Sequence, residues 1–178
     1  MSKGILRTVE GDVTNPQRQA PNEIALIPHC CNNLGVMGAG VALALKKKWP
    51  QTEKDYLNSR YHIGTVSYTC VYNDTQIHTI IANMVAQDGI INESNPKPLK
   101  YYHLANCMDK VYTFVDAMKL DNPDLNVVIH CPEFGGLRAG GNFEFVLELI
   151  KEIWIERGVD VVIYEFEADK FFRGIKRM

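Results

Sequence analysis

Two spacings of hydrophobic residues alternate along the chain. Short apolar or alternating runs at Ile5–Val9 and Ile24–Pro28 read as strands, bounded by the turn formers Gly11 and Asp12 after the first and Pro21 and Asn22 before the second. Thr65–Tyr72 and Gln76–Asn83 are β-rich and separated by Asn73, Asp74 and Thr75, the pattern of an antiparallel hairpin. Val127–Cys131 is apolar except for His130, as in a strand buried on both faces, and Val161–Tyr164 reads as a last strand. Between these runs the spacing becomes helical. Val41–Lys48 is built from good helix formers and closes on Lys46, Lys47 and Lys48, and Pro50 opens a second helical stretch toward Arg60. Leu104, Cys107, Met108, Val111, Phe114, Val115 and Met118 mark the clearest amphipathic helix, and Phe143, Val146, Leu147, Ile150, Ile153 and Trp154 mark another. The alternation predicts one three-layer α/β/α domain over residues 1–178, with a mixed, mostly parallel central sheet and no repeat or interdomain linker.

Composition narrows the partner class. With 178 residues, 46% of them hydrophobic, the chain has enough apolar material for one core. A formal charge of −2 provides no broad basic field, so sequence-specific nucleic-acid binding is not expected. No apolar run reaches bilayer-spanning length, and Met1–Gly4 lacks the apolar stretch of a signal peptide, so a monomer in the cytoplasm is expected, the host's if the source is a phage. The five cysteines read as reduced core thiols, since the adjacent Cys30 and Cys31 have no second pair to complete a tetrahedral site; no metal and no cofactor are expected. Lys170, Arg173, Lys176 and Arg177 read as a solvated tail.

The candidate chemistry lies where strands hand over to helices. His29–Gly40 (HCCNNLGVMGAG) leaves one strand and enters a helix, and its glycines at 35, 38 and 40 permit close backbone approach. The free N–H groups of the helix that follows favour an anion, above all a phosphate. The spacing is G-x-x-G-x-G, unlike the dinucleotide fingerprint, and a structural glycine turn is the competing reading. Pro132–Asn142 (PEFGGLRAGGN) repeats the arrangement, with Asn142 placed to cap the next helix. Two such loops after two buried strands can converge on one cleft, where a diphosphate could bridge them. A third element, Gly11–Pro16 (GDVTNP), offers the Asp12 carboxylate to an exocyclic amine such as adenine N6, with an Asx turn as the alternative.

Together, VEGDVTNP, HCCNNLGVMGAGVA and PEFGGLRAGGNF resemble the three ligand-binding segments of the macrodomain family, in the same order and across nearly the whole chain. The resemblance is nearest the branch that processes ADP-ribose 1″-phosphate, which has bacterial and phage members, and Ile81–Gln87 (IANMVAQ) is similar to a segment of those proteins. It implies that ADP-ribose or a derivative is the ligand, with Gly11, Asp12 and Val13 on the adenine side and Asn32 beside the distal ribose. Gly35, Val36, Met37, Gly38, Ala39, Gly40 and Val41 would line the distal ribose and phosphates. Gly135, Gly136, Leu137, Arg138, Ala139, Gly140, Gly141 and Asn142 would close over the diphosphate. One hydrolase branch uses a lysine after the central hairpin and an aspartate in the last glycine loop. Asn83 or Met84, and Ala139, stand there in this chain, so that covalent mechanism has no residues to run on. Arg138 departs from the related G-C-G-L pattern and adds a cation.

The implied activity is a metal-free phosphatase that converts ADP-ribose 1″-phosphate to ADP-ribose and phosphate, with Asn32 orienting water or ribose and His29 carrying protons. The alternatives are a hydrolase that removes mono-ADP-ribose from protein or nucleic acid, and a reader that binds without turnover. A rival of another class is a cysteine-dependent phosphatase using Cys131 and Arg138. Six residues rather than five separate that pair, and Ala139 replaces the usual hydroxyl residue, which counts against it. His130 reads as a strand-end structural residue, and Asp88 as a base if its loop folds over the cleft.

Overall fold

A computed structural model describes residues 2–134 and 140–165. Gly135–Ala139, including Arg138, and the basic tail lie outside the described residues. Six strands, β1 (Leu6–Glu10), β2 (Glu23–Asn32), β3 (Val66–Asn73), β4 (Gln76–Gln87), β5 (Asn126–Pro132) and β6 (Val161–Glu165), form one sheet in the order β1-β6-β5-β2-β4-β3. All neighbouring pairs are parallel except β3–β4, the predicted hairpin. The mixed, mostly parallel sheet is therefore as expected. Both β2 and β4 run several residues further than their apolar runs, so His29–Asn32 and Met84–Gln87 belong to strands rather than loops.

The strands bury both faces, each against its own helical layer. Even-numbered residues such as Leu26, Ile80 and Met84 pack against α3 (Tyr101–Asp121) and α4 (Phe143–Ile150), through Leu104, Met108, Val111, Val146 and Ile150. On the opposite face Ile27, Ile81 and Val162 meet Leu45 of α1 (Gly40–Lys48), while Cys31 and Val85 meet Tyr56 of α2 (Gln51–Asn58). The predicted last helix changes form at Lys151–Ile155, a π-helical turn closed by Glu156 N–H on Lys151 O at 2.8 Å. Widening that turn lets the consecutive residues Trp154 and Ile155 both face inward, and the Trp154 indole donates to Met108 O at 3.0 Å.

Among the described residues, no helix is long and apolar enough to cross a membrane, and no group of three His, Cys, Asp or Glu is arranged to hold a metal ion. None of the five cysteines is paired.

Candidate functional site

Parallel pairing puts the carboxyl ends of β1, β2, β4, β5 and β6 along one edge of the sheet, and the three motif segments leave from that edge. The β2–β4 ladder continues to Asn32, but β2 and β5 are paired only as far as Leu26 and Ile129. Pro28, two residues on, lacks the N–H that a continuing ladder needs. The two strands that carry the glycine loops are thus unpaired toward those loops, which leaves a crevice where an open α/β sheet binds ligands.

Asn32 organises the first loop from within. Its Oδ1 accepts from Leu34 N–H at 3.0 Å, Val36 N–H at 3.3 Å and the Tyr56 hydroxyl at 3.1 Å, and its Nδ2 donates to Val36 O at 2.8 Å. The Tyr56 hydroxyl also donates to Asn32 O and accepts from Gly35 N–H at 3.1 Å. Burial raises the Tyr56 pKa, with the nearby Cys31 thiol adding to the rise, so the hydroxyl keeps the proton these bonds use. Gly35 has φ +77° and lies so close to α2 that a Cβ would meet Tyr61 Cζ at 3.0 Å; only glycine fits. Met37 is buried beneath the loop, whereas Leu34, Val36, Gly38 and Ala39 are exposed. Ala39 enters α1 with extended backbone and no side-chain cap, and no acidic residue occupies the first turn. The first N–H groups of α1 therefore present uncompensated partial positive charge at the same edge.

The third segment also opens there. Asp12 is exposed, and its Oδ1 accepts from Thr14 N–H at 2.9 Å and Thr14 Oγ1 at 2.8 Å. The Asx turn and the adenine contact are compatible, because the turn uses one carboxylate oxygen. Gly11 N–H bonds to Glu165 O at 3.2 Å, and Val13 is buried against Ile27 and Leu45. In the second loop, Asn142 caps α4 by accepting from Glu144 N–H at 2.9 Å, and its own N–H donates to the Tyr101 hydroxyl at 2.7 Å. Gly140, at φ +71°, lies against the segment before α3: a Cβ there would sit 2.3 Å from Pro96 O.

Several contacts of this edge are not legible in the sequence. Asn33 joins the first loop to the segment after β4, donating to Asp88 Oδ1 at 3.0 Å and accepting from Gly89 N–H at 2.8 Å. Asp88 is exposed, and these two bonds hold its segment next to Asn33. Tyr56 and Tyr101 sit on helices whose apolar spacing accounts for them equally well as core, and only the fold brings their hydroxyls to the two loops.

His29, expected as a proton carrier, and His130, expected as a structural residue, are both buried. His29 is 2% exposed, faces the α1–α2 layer and shares a 2.6 Å hydrogen bond with Asn83 Oδ1. Desolvation holds its pKa down to about 4, so it is neutral near pH 7 and supports the floor of the site. His130 is fully buried, with Nε2 2.6 Å from Glu23 Oε2 and Nδ1 2.7 Å from the Tyr164 hydroxyl. Burial lowers its pKa despite the carboxylate, so the neutral ring donates to Glu23 and accepts from Tyr164. Its partners are side chains on other strands. Cys131 is fully buried on the α3–α4 face, where desolvation, reinforced by Glu133, pushes its thiol pKa up. A buried, protonated thiol is no nucleophile, so the cysteine-phosphatase alternative loses its central group.

No known protein-family model and no curated protein matches the chain. Solved structures do. A macrodomain protein from Streptomyces coelicolor superposes with a TM-score of 0.68 and 28% identity, over 90% of this chain and 98% of that one. A protein of unknown function from Bacteroides thetaiotaomicron gives 0.75 and 29%, over 90% and 98%. Thermosipho africanus DarTG in complex with ADP-ribose gives 0.67 and 16%, over 93% of this chain and 42% of that one. The chain has the macrodomain fold.

Proposed function

We propose that this chain binds ADP-ribose along the carboxyl edge of its sheet and hydrolyses ADP-ribose 1″-phosphate to ADP-ribose and phosphate without a metal. The observation that carries the reading is the convergence on one edge of Asp12, the first glycine loop, the uncapped N-terminus of α1 and the end of β5 from which the second glycine loop leaves. That set offers a carboxylate to adenine, backbone N–H groups and helix charge to the diphosphate, and the Asn32-ordered loop to the distal ribose. Thermosipho africanus DarTG, part of which has the same fold, was solved in complex with ADP-ribose. In turnover Asn32 acts by fixing the loop, and Asp88, an exposed carboxylate held by Asn33, is the candidate base for water.

Binding without turnover is the second reading, favoured by the engagement of the Asn32 amide with its own loop and the burial of His29. Two measurements decide. ADP-ribose should raise the melting temperature of the wild type, and Asp12→Ala should remove most of that rise; no rise at millimolar ligand refutes the binding site. Phosphate release from ADP-ribose 1″-phosphate should fall at least tenfold in Asp88→Asn and in Asn32→Ala while Cys131→Ser stays active. An inactive wild type that still binds ADP-ribose makes the chain a reader or a hydrolase of other ADP-ribosyl bonds.

A further inference from the structure

Beside the first glycine loop, on its α2 side, is an open cavity of about 570 Å3 lined by Asn33, Leu57, Arg60, Tyr61, His62 and Ile63. It shares a wall with the proposed site. Asn33 lines it while tying the first loop to Asp88 and Gly89, and Tyr61 comes against Gly35 from below. The Tyr61 ring is held by Tyr56, with ring centres 5.4 Å apart, and Tyr56 in turn holds Asn32.

The backbone at this cavity is unusual. Arg60 and Tyr61 are consecutive non-glycine residues at positive φ, +66° and +40°. Each such residue carries backbone strain that the surrounding structure has to outweigh. The turn follows α2, with Ser59 N–H and Arg60 N–H bonded to its last carbonyls and Ser59 Oγ accepting from Tyr61 N–H at 3.4 Å. Its effect is to put a guanidinium, a phenol and an imidazole around one cavity. Neither the Arg60 guanidinium nor the His62 ring has a hydrogen-bond or ion-pair partner among the described residues, and both side chains are exposed.

We propose that this cavity is the subsite for the phosphoryl group carried by the distal ribose, with Arg60 as the residue that binds the anion. The assignment rests on the reading that ADP-ribose lies with its distal ribose at the first loop. With the distal ribose beside Asn32 and Gly35, a 1″ substituent directed toward Asn33 would enter this cavity, where Arg60 is the permanently charged group among the described lining residues. A guanidinium matches the geometry of phosphate oxygens, and its exposure lets the anion enter with part of its hydration. The cavity is large for one phosphate, so specificity comes from Arg60 rather than from a close steric fit. Arg60 thereby separates a phosphorylated ligand from ADP-ribose itself.

Calorimetric titration of the intact chain with ADP-ribose and with its non-hydrolysable 1″-phosphonate analogue tests this. Wild type should bind the phosphonate about tenfold more tightly, with a preference that shrinks as salt rises. Arg60→Gln should abolish the preference while leaving the affinity for ADP-ribose unchanged, and Arg60→Lys should keep part of it. Unchanged ADP-ribose affinity also shows that the variants fold. The subsite is overturned by equal affinity of wild type for the two ligands, or by Arg60→Gln weakening both equally. If the wild type binds neither, the underlying ADP-ribose reading fails as well.

Discussion

One side chain, Asn32, fixes the conformation of the first loop through two backbone N–H groups, one carbonyl and the Tyr56 hydroxyl. Tyr56→Phe removes the donor to Asn32 O and the acceptor for Gly35 N–H, leaving buried groups unpaired at a cost of ~1–3 kcal/mol. Urea unfolding should show that loss, and titration should show weaker ADP-ribose binding even though Tyr56 lies under the loop. His29 makes stability depend on pH. Its folded pKa of about 4 lies below the ordinary value of 6.5, so the unfolded chain binds more protons between those values. Its contribution is complete above pH 6.5 and is lost as pH falls toward 4, roughly 2 kcal/mol by pH 5. Denaturation at pH 7 and pH 5 should show the drop, and His29→Gln should flatten it; an unchanged slope in the variant assigns the dependence to His130. The sequence marked Asn32 and His29 by their place in a motif. It could not say that the amide was engaged with its own loop and the ring buried, because strand periodicity shows which residues share a face without showing which layer covers it.

The glycine loops work through the helices that follow them, and the two helix starts differ. α1 begins without a side-chain cap, while α4 begins on Asn142, which is further anchored to Tyr101. The capped helix owes part of its stability to that side chain. Asn142→Ala should cost about 1 kcal/mol in thermal or chemical unfolding, with Asn142→Asp close to wild type. The cap was legible, since an Asn directly before an apolar helical run is a start signal. The π-helical turn at Lys151–Ile155 was not, because Trp154 continues the helical spacing and only its packing on Met108 requires the wider turn.

Across the whole molecule, segments far apart in sequence are tied by buried polar contacts. Glu23 at the start of β2 meets His130 of β5, His130 meets Tyr164 of β6, and the Tyr164 hydroxyl accepts from Gln17 N–H at 2.7 Å, just beyond the Asp12 turn. Tyr164→Phe leaves His130 Nδ1 and Gln17 N–H without that partner. It should lower stability by ~1–3 kcal/mol and weaken ADP-ribose binding by loosening the Gly11–Gln17 segment, read by denaturation and calorimetry. By itself the sequence determined the strands and helices, the α/β class and the handover points where glycine loops follow buried strands, because these depend on local periodicity and backbone freedom. Only the tertiary structure decided that β5 and β2 are neighbours that part after Leu26 and Ile129, that Cys131 and His29 face opposite helical layers, and that Tyr56 and Asn33 brace the first loop. Those facts depend on strand order and layer assignment, which contacts between distant residues select and no local pattern records.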